Sequence, residues 1–369
     1  MLATMRRAWR LVISLVACLA LGWVVATAGF EEPQVSFAHE AGLAGRLAAH
    51  KPHWPGACSR APEDRVGLPL ALSADLQLVL SAEMERGRKM MLERLQESQG
   101  EGRESAPDPV MERAISWMDE ARKPRPVPAE LVQDMVSVIR HLPEPFAKLF
   151  RRHVCAVVWM HAAPMTGTLS LLEGDAQHGI ILLNVDNLQR SADDWLSFKE
   201  DSIFEPNPER ELRGTMTAPG GEQRTVLLEF LLVHELAHVL DQVFDDDPLI
   251  DQFESVSWPR TDLLAGVRAK HYARDRGGEP LRDDQLEPYF DVSSTEAFSD
   301  PSAMDNSSED FAQSVSSYFH GVLRGRPWKL EAWRRGQLVR TLSLCWGEER
   351  CREKQRILEQ LLRRWDRDE

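Results

Sequence analysis

The sequence is poor in tyrosine and cysteine and has no excess of positive charge. Its 369 residues include only 3 Tyr and 5 Cys, and the formal charge is −14. The acidic balance argues against a nucleic-acid partner, because neutralising phosphates requires clustered Lys and Arg. It identifies no other partner, since an acidic surface is usually just that of a soluble protein. No C-x-x-C spacing occurs, which argues against a cysteine zinc site or a thioredoxin-like motif. No internal repeat is visible, and low-complexity content is trivial.

The start of the chain reads as a targeting segment. Arg6, Arg7 and Arg10 precede an apolar run from Leu11 to Val25, and Ala26-Thr27-Ala28 follows as an A-x-A cleavage site. This is the layout of a secretory signal peptide. The run is short for a membrane span, so an exported chain, periplasmic or secreted, is expected. Membrane attachment would come only through this segment if it stays uncleaved. Leu15-Val16-Ala17-Cys18 also resembles a bacterial lipoprotein box, but the residues after Cys18 stay apolar, which ranks that reading second.

Export changes how the cysteines are read. Without Cys18 the chain retains Cys58, Cys155, Cys345 and Cys351, an even number in an oxidising compartment. Four cysteines allow three pairings. Cys345 with Cys351 closes a small loop, and Cys58 with Cys155 then ties the start of the mature chain to the core. Four buried thiols are the alternative.

Composition along the chain suggests an α+β protein in four parts: a signal peptide (1–28), an extended and helical N-terminal region (29–150), a mixed domain (151–345) and a C-terminal helix (346–369). Phe30 to Val66 is rich in Pro, Gly and Ala and reads as irregular. Helical spacing of apolar residues marks 72–96, 110–121, 129–141 and 144–152. Three short β-branched runs follow, 155–161, 166–172 and 179–185, and read as strands. A polar connection spans 186–223. A helix capped by Thr225 then runs to about Phe244, where Asp245-Asp246-Asp247-Pro248 stops it. The stretch from Glu348 to Arg364 reads as a packing helix with a solvated face.

The chemistry sits in Leu231 to Phe244, LLVHELAHVLDQVF. On a helix, His234 and His238 project from one face a turn apart, so two imidazoles can reach one metal ion. Glu235 points away from that pair yet can reach a water polarised by the metal. His-Glu-x-x-His thus encodes two ligands and a general base in five residues. The flanking residues are apolar on every side, so the helix is expected to be central and buried. A pair of satisfied core histidines is the plain alternative.

Through VHELAHV at Val233 to Val239, the chain resembles the zincin metallopeptidases. The resemblance reaches loosely from Cys155 to Phe319. It implies a zinc ion, a protein or peptide substrate, and a sheet whose edge strand, here Gly179 to Val185, binds extended substrate. Asp241 and Phe244 occupy positions where the metzincin branch would need Gly and His or Asp, so a later glutamate is expected as third ligand. Asn306 to Gln313, NSSEDFAQ, looks like the E-D-F-A-E segment of lethal-factor-like gluzincins, with Ser307 or Ser308 as the helix cap, and it implies Glu309 as that ligand. Thr295 to Asp300 looks like the glutamate helix of thermolysin-type enzymes and makes Glu296 the alternative, although Pro301 follows at once.

One departure stands out. The lethal-factor-like pattern places a tyrosine where this chain has Ser302, so Tyr289 or Tyr318, His271 or an arginine would have to support the oxyanion. Asp241 and Gln313 are expected to fix the zinc-binding rings from behind. His178 and His320 read as a surface and a structural histidine. Trp258 to Asp291 reads as an insertion shaping the cleft. The expected function is an exported zinc metallopeptidase with Glu235 as general base. The rivals are a non-catalytic zinc-binding scaffold or interaction protein of the envelope, and hydrolysis of a non-peptide amide.

Overall fold

The computed structural model describes residues 127–160, 167–173, 176–258 and 280–367. The signal peptide, the helices expected at 72–96 and 110–121, Cys58 and His271 lie outside the described residues, as does most of the expected insertion.

The described chain is a mixed α+β structure with two small sheets. It opens on two helices, α1 (Ala129–Arg140) and α2 (Glu144–His153). In α1, Leu131, Met135 and Val138 recur at helical spacing and are the buried residues. Strand β1 (Val154–Met160) leaves α2 directly, followed by β2 (Gly167–Glu173) and β3 (Ala176–Asn184). The sheet order is β1-β3-β2, with β1 parallel and β2 antiparallel to β3. The strand assigned from sequence to the edge is therefore the central one. The antiparallel edge is β2, because the two runs before β3 pair on either side of it.

The connection at 186–223 is not featureless. It carries α3 (Ala192–Asp201), capped by the Ser191 hydroxyl, which accepts from Asp194 N at 3.0 Å, and strand β4 (Arg210–Thr215). Beyond it, α4 (Arg224–Val243) is the expected long helix and is buried along nearly its whole circumference, as a central helix must be. Its first turn is held by Glu222, whose carboxylate accepts from Arg224 N at 3.0 Å and Thr225 N at 2.6 Å. Thr225, read from sequence as the cap, is already inside the helix and donates its hydroxyl to the same carboxylate.

Helices α5 (Pro248–Ser257) and α6 (Leu286–Thr295) precede α7 (Ser307–Tyr318), which continues into a π-helical turn at Phe319–Leu323. Strands β5 (Lys329–Arg334) and β6 (Gln337–Ser343) join β4 in a second, antiparallel sheet of order β4-β5-β6. Arg335 and Gly336 turn this hairpin with φ of 52° and 75°, the twist that a two-residue hairpin favours. The chain ends on α8 (Arg352–Arg367), with Ile357, Leu358, Leu361 and Trp365 in the core. Cys345 and Cys351 form a disulfide ahead of it. The Cys155 side chain lies outside the described set, so the expected Cys58–Cys155 pairing does too.

Helix α4 sits at the centre of this arrangement. It packs on β2 and β3 on one side and α7 on another. A Cβ on Gly179 of β3 would come within 2.4 Å of Val239 Cγ2. The glycine lets the strand approach the helix one residue beyond His238.

Candidate metal centre

Helix geometry brings His234 and His238 together. Their ring centroids are 4.8 Å apart at an interplanar angle of 86°, and the two Nε2 atoms are 3.2 Å apart. Glu235 lies on the same turn, is 1% exposed, and is not one of the clustered donors.

The third group arrives from α7. Asn306, not Ser307 or Ser308, caps this helix: its side-chain oxygen accepts from Glu309 N at 2.9 Å. Asn306 is in extended backbone just ahead of the helix, as a capping residue is. Glu309 then projects from the first turn. Its Oε2 is 3.5 Å from His234 Nε2 and its Oε1 3.5 Å from His238 Nε2. The other side of the same turn is anchored by Asp310, which pairs with the buried Lys354 at 2.5 Å and accepts from Trp258 Nε1 at 2.9 Å.

The spacing of these three groups can be tested against an ion. Ligand atoms held tetrahedrally about 2.0–2.1 Å from zinc lie about 3.3–3.4 Å from one another. The two Nε2 atoms, at 3.2 Å, match that spacing; each lies 3.5 Å from a different oxygen of the Glu309 carboxylate, and with one donor atom taken from each residue the three lie within 4.8 Å of one another. Two imidazoles and a carboxylate are also a common donor set for zinc. The side chains are 13%, 13% and 16% exposed, so the group is sheltered yet reachable from solvent.

Electrostatics favour positive charge between these side chains. Burial alone would raise Glu309, but the charges and hydrogen bonds of His238 and His234 hold its carboxyl well below the usual range. Burial alone would lower His238. The charge of Glu309 and its hydrogen bond, with smaller contributions from Glu235 and Asp241, push it up to about 9.

Asp241 reaches the cluster indirectly. It accepts from Ser308 Oγ at 2.7 Å, and Ser308 Oγ is 3.2 Å from His238 Nδ1. His234 Nδ1 is buried and finds no hydrogen-bond partner among the described residues.

The remaining expected site residues lie elsewhere. Gln313 is buried and spends its amide on Asp300, donating to Oδ2 at 2.7 Å. Tyr289 is buried and donates to Glu200 Oε2 at 2.5 Å, while Tyr318 donates to Glu359 Oε1 at 3.2 Å. Ser302 is buried and donates to Glu200 Oε1 at 3.0 Å. Glu296 ends α6, where its carbonyl accepts from Arg350 Nη1 at 2.7 Å, and its carboxylate is not among the clustered donors. His320 is buried, its ring within 2.9 Å of the Pro327 carbonyl through Nε2, and burial lowers its pKa. The His178 side chain lies outside the described set.

Sequence reading missed Ser308 as a bridge and Lys354 as an anchor. Ser308 was visible only as a helix-start residue next to Glu309. Lys354 sits in a charged stretch where a buried lysine has no distinguishing signal. Compared with family models, curated proteins and solved structures, the chain matches none.

Proposed function

We propose that the chain is an exported zinc metallopeptidase of the gluzincin type, with a zincin-like catalytic domain. One observation carries the reading: two imidazoles and a carboxylate from two helices, with donor atoms within 4.8 Å of one another, grouped closely enough to share one ion, with a glutamate next in sequence to one of them. His234, His238 and Glu309 hold the ion. Zinc, when bound, acts as a Lewis acid on water and on the scissile carbonyl.

The protein's own groups then do the following. Glu235 accepts a proton from the water that attacks the carbonyl carbon. It returns that proton to the amide nitrogen as the C–N bond breaks, so a single carboxylate serves as base and then acid. Strand β2 is the sheet's antiparallel edge and packs beside α4, and an extended peptide substrate adds to such an edge through backbone hydrogen bonds.

A second reading is a zinc-binding envelope scaffold without catalysis. The engagement of Tyr289 with Glu200 and of Tyr318 with Glu359 favours it, because neither phenol is then available to an oxyanion. Metal analysis of the purified chain tests the common core of both readings. One zinc per chain is expected, lost in Glu309→Ala and in His238→Ala. A wild-type chain that binds no zinc excludes both.

A further inference from the structure

We propose that Ser308 is a positioning residue for His238, relaying the charge of Asp241 to the ring and fixing which nitrogen faces the metal site. The inference rests on the zinc reading and adds a role that the ligand set does not require.

The direction of the relay follows from donor counting. Asp241 is buried, and its Oδ2 is an acceptor with no proton of its own to give in this bond. The single hydroxyl proton of Ser308 therefore goes to Asp241 Oδ2, at 2.7 Å. That leaves Ser308 Oγ only lone pairs to offer His238 Nδ1, at 3.2 Å. In the neutral ring that a metal ligand requires, Nδ1 then carries the proton, and Nε2 keeps its lone pair on the side of His234 and Glu309. The chain Nδ1–H to Oγ–H to carboxylate selects the tautomer that a ligand needs, and the remote carboxylate makes the ring more basic.

Placement supports the same role. Asp241 and His238 are three apart on α4, whereas Ser308 comes from α7 and immediately precedes Glu309. One turn of α7 thus supplies both a ligand and the brace for another ligand, so docking that turn sets the two together. Ser308 is not needed to cap its helix, because Asn306 does that. His234 has no equivalent brace among the described residues, so the orienting contribution falls on His238.

The test is zinc affinity of the purified full chain, by competition with a chromogenic chelator, for wild type, Ser308→Ala, Ser308→Thr, Asp241→Asn and the Ser308→Ala/Asp241→Asn double variant. Ser308→Ala is expected to weaken zinc about 10- to 100-fold at unchanged stoichiometry, and Ser308→Thr, which keeps the hydroxyl, to restore it. Asp241→Asn should weaken zinc as well. The double variant should be little worse than either single one, because both break one relay. The His238 Nδ1 proton, followed by NMR in the zinc-loaded protein, should exchange with solvent faster in Ser308→Ala. If Ser308→Ala does not fold, Ser308→Thr and Asp241→Asn decide: wild-type affinity in Asp241→Asn overturns the relay. Affinity within twofold of wild type in a folded Ser308→Ala also overturns it, while leaving the zinc reading intact. A wild-type chain without zinc removes both.

Discussion

The carboxylate of Asp310 and the ammonium of Lys354 meet at 2.5 Å, with both side chains wholly shielded from solvent. Lys354 also lies over the rings of Phe253 and Phe298, at 4.8 and 5.2 Å from their centroids. Burial pushes Asp310 up and Lys354 down, and each opposes the other's shift by its charge. The pair ties the first turn of α7 to α8, one residue from Glu309. Removing one partner of such a pair strands a buried charge and costs about 3–5 kcal/mol. Lys354→Met should therefore lower the denaturation midpoint strongly and reduce zinc retention. Adding Asp310→Asn to it should recover part of the loss. Equilibrium denaturation of the single and double variants measures both effects.

The contact between Gly179 and Val239 gives a second expectation. Alanine at 179 would place its Cβ within van der Waals overlap of both Val239 γ-carbons, at 2.4 and 3.0 Å. Overpacking of this kind costs about 1–3 kcal/mol. Gly179→Ala should destabilise the fold, and Val239→Ala should partly suppress it. A double-mutant cycle in urea would show a coupling energy well above additivity error.

Why some of this was legible in sequence, and some not, follows from how far each feature reaches. His234 and His238 are neighbours through helical period alone, so five residues suffice to juxtapose them. Helices α1 and α2 and strands β1 to β3 carry dense apolar patterns of the right period. The helix α3 and strand β4 do not. Their buried set includes Glu200 and Arg210, the latter held by Asp201 and Asp283 and stacked on Phe204, so the stretch reads as polar. Strands β5 and β6 are short, and β6 is mostly exposed, so they leave little hydrophobic signal. Glu309 was reached through its local E-D-F-A segment. The bridge by Ser308 and the anchor at Lys354 depend on how α7 docks, 67 and 44 residues from their respective partners, and no local pattern encodes that.

Asp300 makes stability depend on pH. It is fully buried, accepting from Ser302 N at 2.9 Å and Gln313 Nε2 at 2.7 Å. Burial is the main cause of its rise to about 7, with Glu200 adding to it and Lys199 opposing it. Its ordinary value when unfolded is about 3.9. The folded state therefore holds a proton that the unfolded state releases across this interval. The stabilisation is complete below about pH 4 and is lost as pH rises toward 7. Asp300→Asn, which cannot ionise, should lose less stability than wild type between pH 4.5 and 7.5. The difference should be at most about 4 kcal/mol for a shift of this size, measured by urea denaturation at the two pH values.

The disulfide between Cys345 and Cys351 closes a loop with a sequence separation of 6. Within it, Arg350 Nη1 donates to the carbonyls of Ser293, Glu296 and Phe298, at 3.0, 2.7 and 3.0 Å, and so finishes α6. A loop this small contributes about 2 kcal/mol through the unfolded chain. The Cys345→Ser/Cys351→Ser variant should melt at lower temperature than wild type. A reductant should shift wild type toward the variant and leave the variant unchanged.

Glu235 separates the enzyme from the scaffold. Its side chain is buried beside the cluster, its charge is felt at His238, and it does not belong to the set of clustered donors. Glu235→Gln keeps the shape and hydrogen-bonding reach of the side chain but cannot take a proton. If Glu235 is the base, kcat for peptide hydrolysis should fall about 10²- to 10⁴-fold, with zinc content unchanged and KM nearly so. Such a split is what loss of a proton-transfer group produces, since substrate contacts and ligands stay in place. Equal cleavage by wild type and variant would remove Glu235 from the chemistry. Absence of cleavage by both, with one zinc retained in each across a panel of unstructured polypeptides, would favour the scaffold.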